Sequence, residues 1–376
     1  MKVHEHIFEQ IFSPENLFLA WEEFRKGKSA RKDVQVFEWK LEEHIFQLHR
    51  ELADGSYQHG HYSAFHICDP KQRLIHKATV RDRIVHHAVF AALNSIFEPT
   101  FIAHSFSCRR GKGTHRGVDA LETMLRKVSK NHTKPCFTLK CDIHRFFASV
   151  DHAVLLRMLG ERIRDDRVME LLEEIIRSFS DGKGIPIGNL TSQLFANVYM
   201  NALDQFIKHE LRLKHYVRYT DDFIILAASV DALHDVLPSV QLFLSEKLHL
   251  ELHPHKVSIR KYRQGIDFLG YVLLPHYRAL RTKTKRRILR KLHAKAQASG
   301  YDPSQEQSLN QSLQSYLGVL SHADTFRFNQ ELQNQCWFWQ TESELFCCVK
   351  EHMRYTSLHG QEEASPATDG NTHCSL

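Results

Sequence analysis

Three aspartates stand in contexts that favour metal-dependent chemistry. Asp142 ends the apolar stretch PCFTLKCDI, and Asp221 and Asp222 close the tetrad YTDD, which joins the apolar stretches HYVRY and FIILAA. Carboxylates brought together repel one another unless cations neutralise them, and their hard oxygen atoms suit Mg²⁺, which shares its coordination shell with phosphate groups. Two such ions can activate a primer 3′-hydroxyl and neutralise a departing pyrophosphate. The three acids therefore predict nucleotide addition by two metal ions.

A pair of aspartates in a loop more often caps a turn than binds a metal. Here the context weakens that interpretation. A Tyr-x-Asp-Asp tetrad arises by chance in about 5% of chains of this length, if each residue type has a frequency of about one in twenty. The tetrad also lies between two apolar strands and follows another acid-bearing strand, which makes the metal-binding interpretation the stronger one.

The segments around the acids alternate between helix and strand. The first fifty residues have apolar side chains at helical spacing, residues 62–77 have the pattern of a basic hairpin, and another hairpin is predicted over residues 257–273. The acids would lie at the end of one strand and at the tip of a hairpin. This order predicts an α/β (α+β) fold, with an antiparallel sheet covered by helices on one face.

The chain is predicted to contain four regions. These are an N-terminal helical region (1–60), a sheet-bearing domain (61–281), a helical unit (282–350) that starts with the basic stretch TKTKRRILRKLHAK, and a polar tail (351–376). The tail has few apolar residues and is predicted to be disordered.

The amino-acid composition says more about the compartment in which the protein works than about the reaction that it catalyses. Lys and Arg exceed Asp and Glu by 50 to 44, an excess that suits a polyanionic partner without requiring one. The eight cysteines have no CxxC spacing, which favours a reducing compartment and gives no zinc motif. No signal peptide precedes the first helix and no apolar run approaches the length of about 18 residues that spans a bilayer. The sequence therefore predicts a cytoplasmic protein without membrane insertion.

In order along the chain, from about residue 60 to 320, the motifs resemble those of the reverse transcriptases. KCDIHRFFASVDH resembles the first carboxylate motif, and RYTDDFIIL resembles the second. The first motif implies Asp142 as a metal ligand, Ile143 as a ligand through its carbonyl, and Phe147 as the steric gate that excludes a ribose 2′-hydroxyl. The second implies Asp221 and Asp222 as the remaining metal ligands.

Three later segments extend the resemblance. LHLELHPHKVSI resembles the next family motif, in which Lys256 would lie near the pyrophosphate; DFLGYVL resembles the primer grip, and SYLGVLSHADTFRF resembles the thumb helices. The resemblance implies a right-hand polymerase with fingers, palm and a C-terminal helical thumb. It also implies RNA-directed DNA synthesis from a template RNA, a DNA or RNA primer and dNTPs, with two Mg²⁺ ions or, alternatively, Mn²⁺.

The segment GIPIGNLTSQLFANVYMNALDQF narrows the resemblance. Most reverse transcriptases carry Gln-Gly and then Ser-Pro here, whereas this chain has Ile187-Gly188 and then Ser192-Gln193. This pattern is similar to the reverse transcriptases of diversity-generating retroelements, and it implies that Ile187, Gly188 and Gln193 contact the incoming nucleotide. The subgroup implies a bacterial or phage-encoded enzyme that makes adenine-mutagenic cDNA (mutagenic retrohoming) with a small basic accessory protein.

Two basic segments are candidates for phosphate contacts. Lys71 and Arg73 lie in the basic hairpin, where they could clamp a triphosphate, since a guanidinium matches phosphate geometry; a solvated turn is the alternative. Arg109, Arg110 and Lys112 lie in a glycine-rich turn before a helix and could bind a template or primer backbone; a flexible solvated turn is the alternative. Tyr219, beside the acids, could support the primer end, although such an aromatic residue is more often part of the core.

Two alternatives stay open. A retron or phage-defence reverse transcriptase would share the acids but would normally differ between Ile187 and Gln193. A catalytically inert RNA-binding relative would keep the fold alone, and the intact Asp142, Asp221, Asp222 and Phe147 argue against it.

Overall fold

The structure is a computed structural model that describes residues 2–69, 71–299 and 303–339. The predicted tail and the end of the predicted helical unit lie outside the described residues. The chain divides into two compact units, Met1–Leu269 and Gly270–Leu376. The four predicted regions stay predictions. Among the described residues, no helix has both the length and the apolar character needed to cross a bilayer.

The N-terminal segment is helical, as predicted. Pro14 occupies the first position of the second helix, where its missing N–H costs nothing, and the Ser13 hydroxyl accepts a hydrogen bond from the Asn16 amide at 3.2 Å. Apolar residues at helical spacing, such as Ile45 and Leu48, are buried in the core. The helices are α1 (Phe8–Phe12), α2 (Pro14–Arg25), α3 (Lys32–Glu38) and α4 (Leu41–Ala53).

An exposed hairpin follows, as predicted for residues 62–77. Its strands, β1 (Ser63–Ile67) and β2 (Arg73–Lys77), pair antiparallel with Phe65 opposite Ile75. Thr79 then caps the next helix by accepting a hydrogen bond from the Asp82 amide at 3.2 Å. The helices after the hairpin are α5 (Val80–Phe97) and α6 (Thr114–Val128), with a 3-10 turn over Glu98–Thr100.

A four-stranded antiparallel sheet forms the centre of the first unit. Its strands are β3 (Phe137–Asp142), β4 (Tyr216–Tyr219), β5 (Asp222–Ala227) and β6 (Ser258–Lys261), in the order β4-β5-β3-β6. The predicted mixture of antiparallel sheet and helices is confirmed. The predicted hairpin over residues 257–273 is wrong in its partner, because β6 pairs with β3, with Leu139 opposite Ile259. An alternating pattern marks a strand but does not identify its neighbour.

Helices between the strands bury the core. The apolar helix α10 (Leu190–Gln205) is buried on nearly all sides because it packs against α5 and against the helices α8 (His152–Gly160) and α11 (Asp231–Leu248). A π-helical turn over Phe206–Glu210 continues it, and a 3-10 turn (Tyr262–Gln264) precedes β7 (Ile266–Phe268). The other helices are α7 (Phe146–Ser149) and α9 (Asp166–Arg177).

The second unit joins a hairpin to helices. The Tyr271 hydroxyl donates to the Val319 carbonyl at 2.9 Å. Apolar residues along the helices, including Ile288 and Leu309, form its core. Its elements are β8 (Tyr271–Leu274), β9 (Tyr277–Leu280), α12 (Thr282–Ser299), α13 (Pro303–Leu320) and a helix over 326–339.

Candidate functional site

The structure brings the three predicted acids together at one end of the sheet. Asp142 is the last residue of β3 and lies opposite Asp222, the first residue of β5. Asp221 is in the turn between β4 and β5, and its carbonyl accepts a hydrogen bond from the Ile143 amide at 3.3 Å. Strand pairing alone therefore joins acids that are about eighty residues apart in the sequence.

Partial burial makes the negative charge of the carboxylates at this end of the sheet unfavourable. The pKa of Asp222 is raised to about 6, mainly by desolvation and also by the neighbouring carboxylates of Asp142 and Asp221, although Lys140 acts in the opposite direction. Desolvation likewise raises the pKa of Asp221. The buried Oδ1 atom of Asp222 has no hydrogen-bond partner. A cation at this end of the sheet would stabilise both carboxylates.

Two lysines contact the acids. Lys256 donates to Asp142 Oδ1 at 2.7 Å, and the ammonium of Lys140 lies 3.3 Å from Asp222 Oδ2. Lys140 also donates to the Asp267 carbonyl at 2.8 Å. The segment that carries Lys256 is held against β3, because the His253 amide donates to the Asp142 carbonyl at 2.8 Å.

The donor atoms of this site fit a divalent cation, but their present arrangement is not a finished coordination shell. Within the described ranges, no group of three or more His, Cys, Asp or Glu side chains is arranged to hold a metal ion. The orphaned Asp222 oxygen and the hard carboxylate oxygens around it nevertheless match the ligands that Mg²⁺ prefers. Lysine ammonium groups supply the positive charge in this structure.

Phe147 and Ile187 lie in two segments that a backbone hydrogen bond holds together. Phe147 is in α7, partly buried, and its ring lies 5.4 Å from that of Phe146 in an edge-on arrangement. The Ile185 amide donates to the Phe147 carbonyl at 2.8 Å, which ties α7 to the segment preceding Ile187. Gln193 is half-buried in the first turn of α10.

The exposed hairpin is fixed to the Ile187–Gly188 segment through its backbone. The His76 amide donates to the Ile187 carbonyl at 3.0 Å. A Cβ atom on Gly188 would lie 2.7 Å from Ile75 Cγ2, so only glycine allows this approach. Lys71 and Arg73 are exposed on the same hairpin, and the positive charge of Arg73 is among the effects that lower the pKa of Asp221.

The glycine-rich turn is held largely by its own basic residues. Arg109 forms a double contact with Glu98 and also donates to the Ile102 and Ser105 carbonyls. Lys112 donates to the Ala103 carbonyl at 2.8 Å. Arg110 is exposed.

Tyr219 is half-buried at the end of β4. Its hydroxyl accepts a hydrogen bond from Thr114 at 3.5 Å, which links the strand before the acids to the first turn of α6.

Sequence reasoning missed Lys140 and the buried residues behind the acid turn. Lys140 and Asp142 are two residues apart on one strand and therefore share a face, a signal present in the sequence. The buried pair Arg218 and Asp204 gave no such signal, because its members belong to different elements.

Comparisons with known proteins agree with the motifs. A family profile described as reverse transcriptase (RNA-dependent DNA polymerase) matches residues 68–273. The chain is 26% identical over 273 residues to protein YkfC of Escherichia coli, which covers 60% of this chain and 70% of YkfC. It is 22% identical over 348 residues to the group II intron-encoded protein LtrA of Lactococcus lactis, which covers 72% of this chain and 57% of LtrA.

Among solved structures, apo telomerase from Candida tropicalis, truncated from the C-terminal domain, is similar with a TM-score of 0.46 and 11% sequence identity. That match covers 62% of this chain and 59% of the telomerase chain. The chain thus spans less than two thirds of LtrA and of the telomerase chain. Because the family profile covers more than half of the sequence, this chain belongs to the reverse transcriptase family, the RNA-dependent DNA polymerases.

Proposed function

We propose that this chain copies a template RNA into complementary DNA by extending a DNA or RNA primer with dNTPs at Asp142, Asp221 and Asp222. The proposal depends chiefly on one observation, the pairing of Asp142 with Asp222 across β3 and β5. Asp221 adjoins them in the turn, and the unsatisfied Asp222 Oδ1 is free to act as a ligand atom.

Asp142, Asp221, Asp222 and the Ile143 carbonyl would hold two Mg²⁺ ions, with Mn²⁺ as the alternative. Bound ions of this kind lower the pKa of a 3′-hydroxyl and neutralise pyrophosphate. The chain itself supplies the partly buried carboxylates of Asp221 and Asp222, whose raised pKa values reflect a need for positive charge. Lys256, now in contact with Asp142, would turn its ammonium to the leaving pyrophosphate.

The nucleotide pocket would lie between the hairpin and α10. Arg73 would bind the triphosphate together with Lys71, which is supported by the electrostatic effect of Arg73 on Asp221. Phe147 would exclude a ribose 2′-hydroxyl. Ile187, Gly188 and Gln193 would contact the incoming nucleotide, which is supported by the contact of the hairpin with the Ile187 carbonyl.

Template and primer contacts would come from two basic regions. In the glycine-rich turn, the exposed Arg110 is the side chain best able to reach a phosphate, while Arg109 and Lys112 would act by holding the turn. Tyr219 would support the primer end. Residues 61–281 would then be fingers and palm, and residues 282–350 a thumb whose phosphate contacts make affinity depend on salt.

Within the family, the Ile187–Gly188 and Ser192–Gln193 pattern supports a diversity-generating retroelement enzyme. Such an enzyme would act in the cytoplasm of a bacterium, from a bacterial or phage gene, together with a small basic accessory protein, and would make errors at template adenines. A retron or phage-defence reverse transcriptase, or an inert RNA-binding relative, is the alternative. An intron-encoded role like that in the name of LtrA is a further one.

Metal binding tests the assignment of the acids. We expect Asp142→Asn and Asp221→Asn to weaken Mn²⁺ binding, followed by electron paramagnetic resonance, by about tenfold or more, which corresponds to about 1.4 kcal/mol. RNA affinity should stay within about twofold of wild type, since nucleic-acid contacts are mainly electrostatic and lie outside the acids. Asp235→Asn, an exposed acid on α11, is the matched control. Equal Mn²⁺ affinity in all four proteins would contradict the assignment.

A further inference from the structure

We propose that Arg218 is a positioning residue for catalysis: held by the buried Asp204, its guanidinium fixes the backbone of Thr220 and so orients the two acids that follow. The inference rests on the proposed function, because it takes Asp221 and Asp222 as the metal-binding acids. We name the Arg218–Asp204 pair with its contact to Thr220 the turn lock.

Thr220 has a backbone conformation that is intrinsically unfavourable for a threonine. Its φ is 55°, in the left-handed region, where a β-branched residue is an outlier. Such conformations persist only where surrounding groups determine them. Two contacts do so here: the Thr220 carbonyl accepts from Arg218 Nη1 at 3.0 Å, and its hydroxyl donates to Ser107 Oγ at 2.6 Å.

Arg218 uses all of its donors in this task. Nε and Nη2 donate to the two oxygens of Asp204 at 2.8 and 2.6 Å. Nη2 also donates to Ser105 Oγ at 3.1 Å, and the second N–H of Nη1 reaches Asn197 Oδ1 at 3.5 Å. A guanidinium carries five N–H groups, and each has an acceptor here. The orientation of the fork, including the N–H that faces Thr220, is therefore fixed.

Stability alone does not account for this arrangement. The side chains of Arg218 and Asp204 are both 0% exposed, and replacing a buried ion pair by apolar residues is often neutral or stabilising. A planar fork can, however, hold a carboxylate and a carbonyl in one rigid geometry, which a lysine ammonium cannot. The pair therefore gives the Thr220 turn a defined geometry.

The turn lock ties the acids to two other parts of the unit. Asp204 belongs to α10, whereas Arg218 belongs to β4. The Arg218 amide donates to the His104 carbonyl, and the Phe106 amide donates to the Arg218 carbonyl, both at 3.0 Å. Without the lock, Thr220 would relax and shift Asp221 and Asp222 relative to Asp142. A misplacement of about 1 Å in a catalytic site can lower the rate about a hundredfold.

The variants must separate positioning from folding. Arg218→Met alone leaves Asp204 as an uncompensated buried charge and would destabilise the fold. In Arg218→Met/Asp204→Asn no buried charge remains, and the Asn oxygen still accepts the hydrogen bond that Tyr216 donates to position 204. Arg218→Lys is a second variant that keeps the charge pair but lacks the fork.

We expect both Arg218→Met/Asp204→Asn and Arg218→Lys to lower single-turnover dNTP addition by about a hundredfold. Mn²⁺ affinity should fall as well, while template–primer affinity and the folded fraction, followed by thermal unfolding, stay near those of wild type. When Thr220→Gly is added to either lock variant, the rate should rise to most of that of the Thr220→Gly single variant, because glycine adopts a positive φ without steric cost.

Two controls make the outcomes distinct. Tyr216→Phe removes a hydrogen bond to Asp204 but leaves the Arg218 contact with Thr220 intact, and its rate should stay within about twofold of wild type. Asp221→Asn reports on the proposed function itself. If Asp221→Asn is inactive while both lock variants add dNTP at the wild-type rate, the turn lock is overturned and the proposed function stands.

Failure of Thr220→Gly to restore the rate, with activity falling only in step with the folded fraction, would also overturn the turn lock. An active Asp221→Asn would instead overturn the proposed function.

Discussion

At the residue scale, a substitution at Phe147 is the most direct test of the proposed selection of dNTPs over rNTPs. Its ring is partly buried beside Phe146 in α7, on the element that follows Asp142. We expect Phe147→Val to admit ribonucleotides, because a smaller side chain leaves room for a 2′-hydroxyl. The measurement is the ratio of rNTP to dNTP addition in a single turnover. Phe146→Leu, a buried neighbour, should lower stability without changing that ratio, and an unchanged ratio in Phe147→Val would make Phe147 a core residue only.

Ile187 has a separate test, of copying fidelity. Gln, which most reverse transcriptases carry at this position, can hydrogen-bond the incoming nucleotide, whereas Ile cannot. A polar contact worth about 1–3 kcal/mol corresponds to about 10- to 200-fold in discrimination. We therefore expect Ile187→Gln to reduce errors opposite template adenine more than opposite other bases, as read by sequencing cDNA from a template of balanced composition. Uniform wild-type errors would count against the diversity-generating subtype.

The sequence identified some site residues and hid others for physical reasons. Asp142, Asp221 and Asp222 were visible because apolar strands frame them. Lys140 shares a strand face with Asp142, yet alternation alone also fits a solvated lysine. Arg218 was hidden, because an arginine in a strand is normally exposed and only the tertiary contact with Asp204 buries it.

At the element scale, the contact between the hairpin and the Ile187–Gly188 segment is sensitive to one methyl group. Gly188 has a φ of 122°, and an added Cβ would clash with Ile75. We expect Gly188→Ala to displace β2 and raise the KM for dNTP several-fold, with partial recovery in Gly188→Ala/Ile75→Ala.

The matched control for this contact is Gly182→Ala. It places a side chain at another positive φ, 73°, with nothing within 4 Å of the added Cβ. It should cost about 1 kcal/mol of stability and leave the KM unchanged. A KM that rises equally in both variants would mean that backbone strain, not the hairpin contact, is responsible.

A buried polar chain connects the base of the hairpin to α10. His59 Nε2 and His86 Nε2 lie 3.1 Å apart, and His86 Nδ1 lies 3.2 Å from the Thr191 hydroxyl. Asp82, also buried, accepts from the Tyr57 hydroxyl at 2.8 Å. The two ring contacts join different elements, and the contact between His59 Nε2 and His86 Nε2 needs one unprotonated nitrogen as acceptor, so two protonated rings would break it.

The buried polar chain predicts that the free energy of unfolding falls at acidic pH. Desolvation, followed by the charge of His59, lowers the pKa of His86 to about 3, against about 6.5 in an unfolded chain. Its contribution to stability is thus full above pH 6.5 and is lost as the pH falls toward 3. The expected slope is at most about 1.4 kcal/mol per pH unit. Urea unfolding between pH 7.5 and 4.5 should show a shallower loss in His86→Gln, and identical slopes would contradict the buried neutral ring.

The positions of helices and strands were predicted better than the pairing of the strands. The N-terminal helices, the exposed hairpin and the acid-bearing strands follow from local periodicity and capping, which act over a few residues. The pairing of β6 with β3 instead depends on long-range backbone contacts, which alternation does not encode.

At the scale of the whole molecule, the order of the motifs carries more information than composition. A formal charge of +6 suits many soluble enzymes, whereas the two carboxylate motifs, in order and joined by one sheet, restrict the chain to one family. The division at Leu269 and Gly270 separates the sheet that carries the acids from a unit in which a hairpin precedes the basic helix α12.

The central claim is that this chain makes DNA on an RNA template with its three acids. The most direct measurement is single-turnover extension of a labelled DNA primer on a defined RNA template, with the purified 376-residue chain, Mg²⁺ and dNTPs. The account predicts complementary DNA from wild type, no detectable extension from Asp142→Asn or Asp221→Asn, and residual extension from Asp222→Asn. A wild-type chain that binds template–primer but adds no nucleotide, or an Asp221→Asn variant that extends at the wild-type rate, would contradict it.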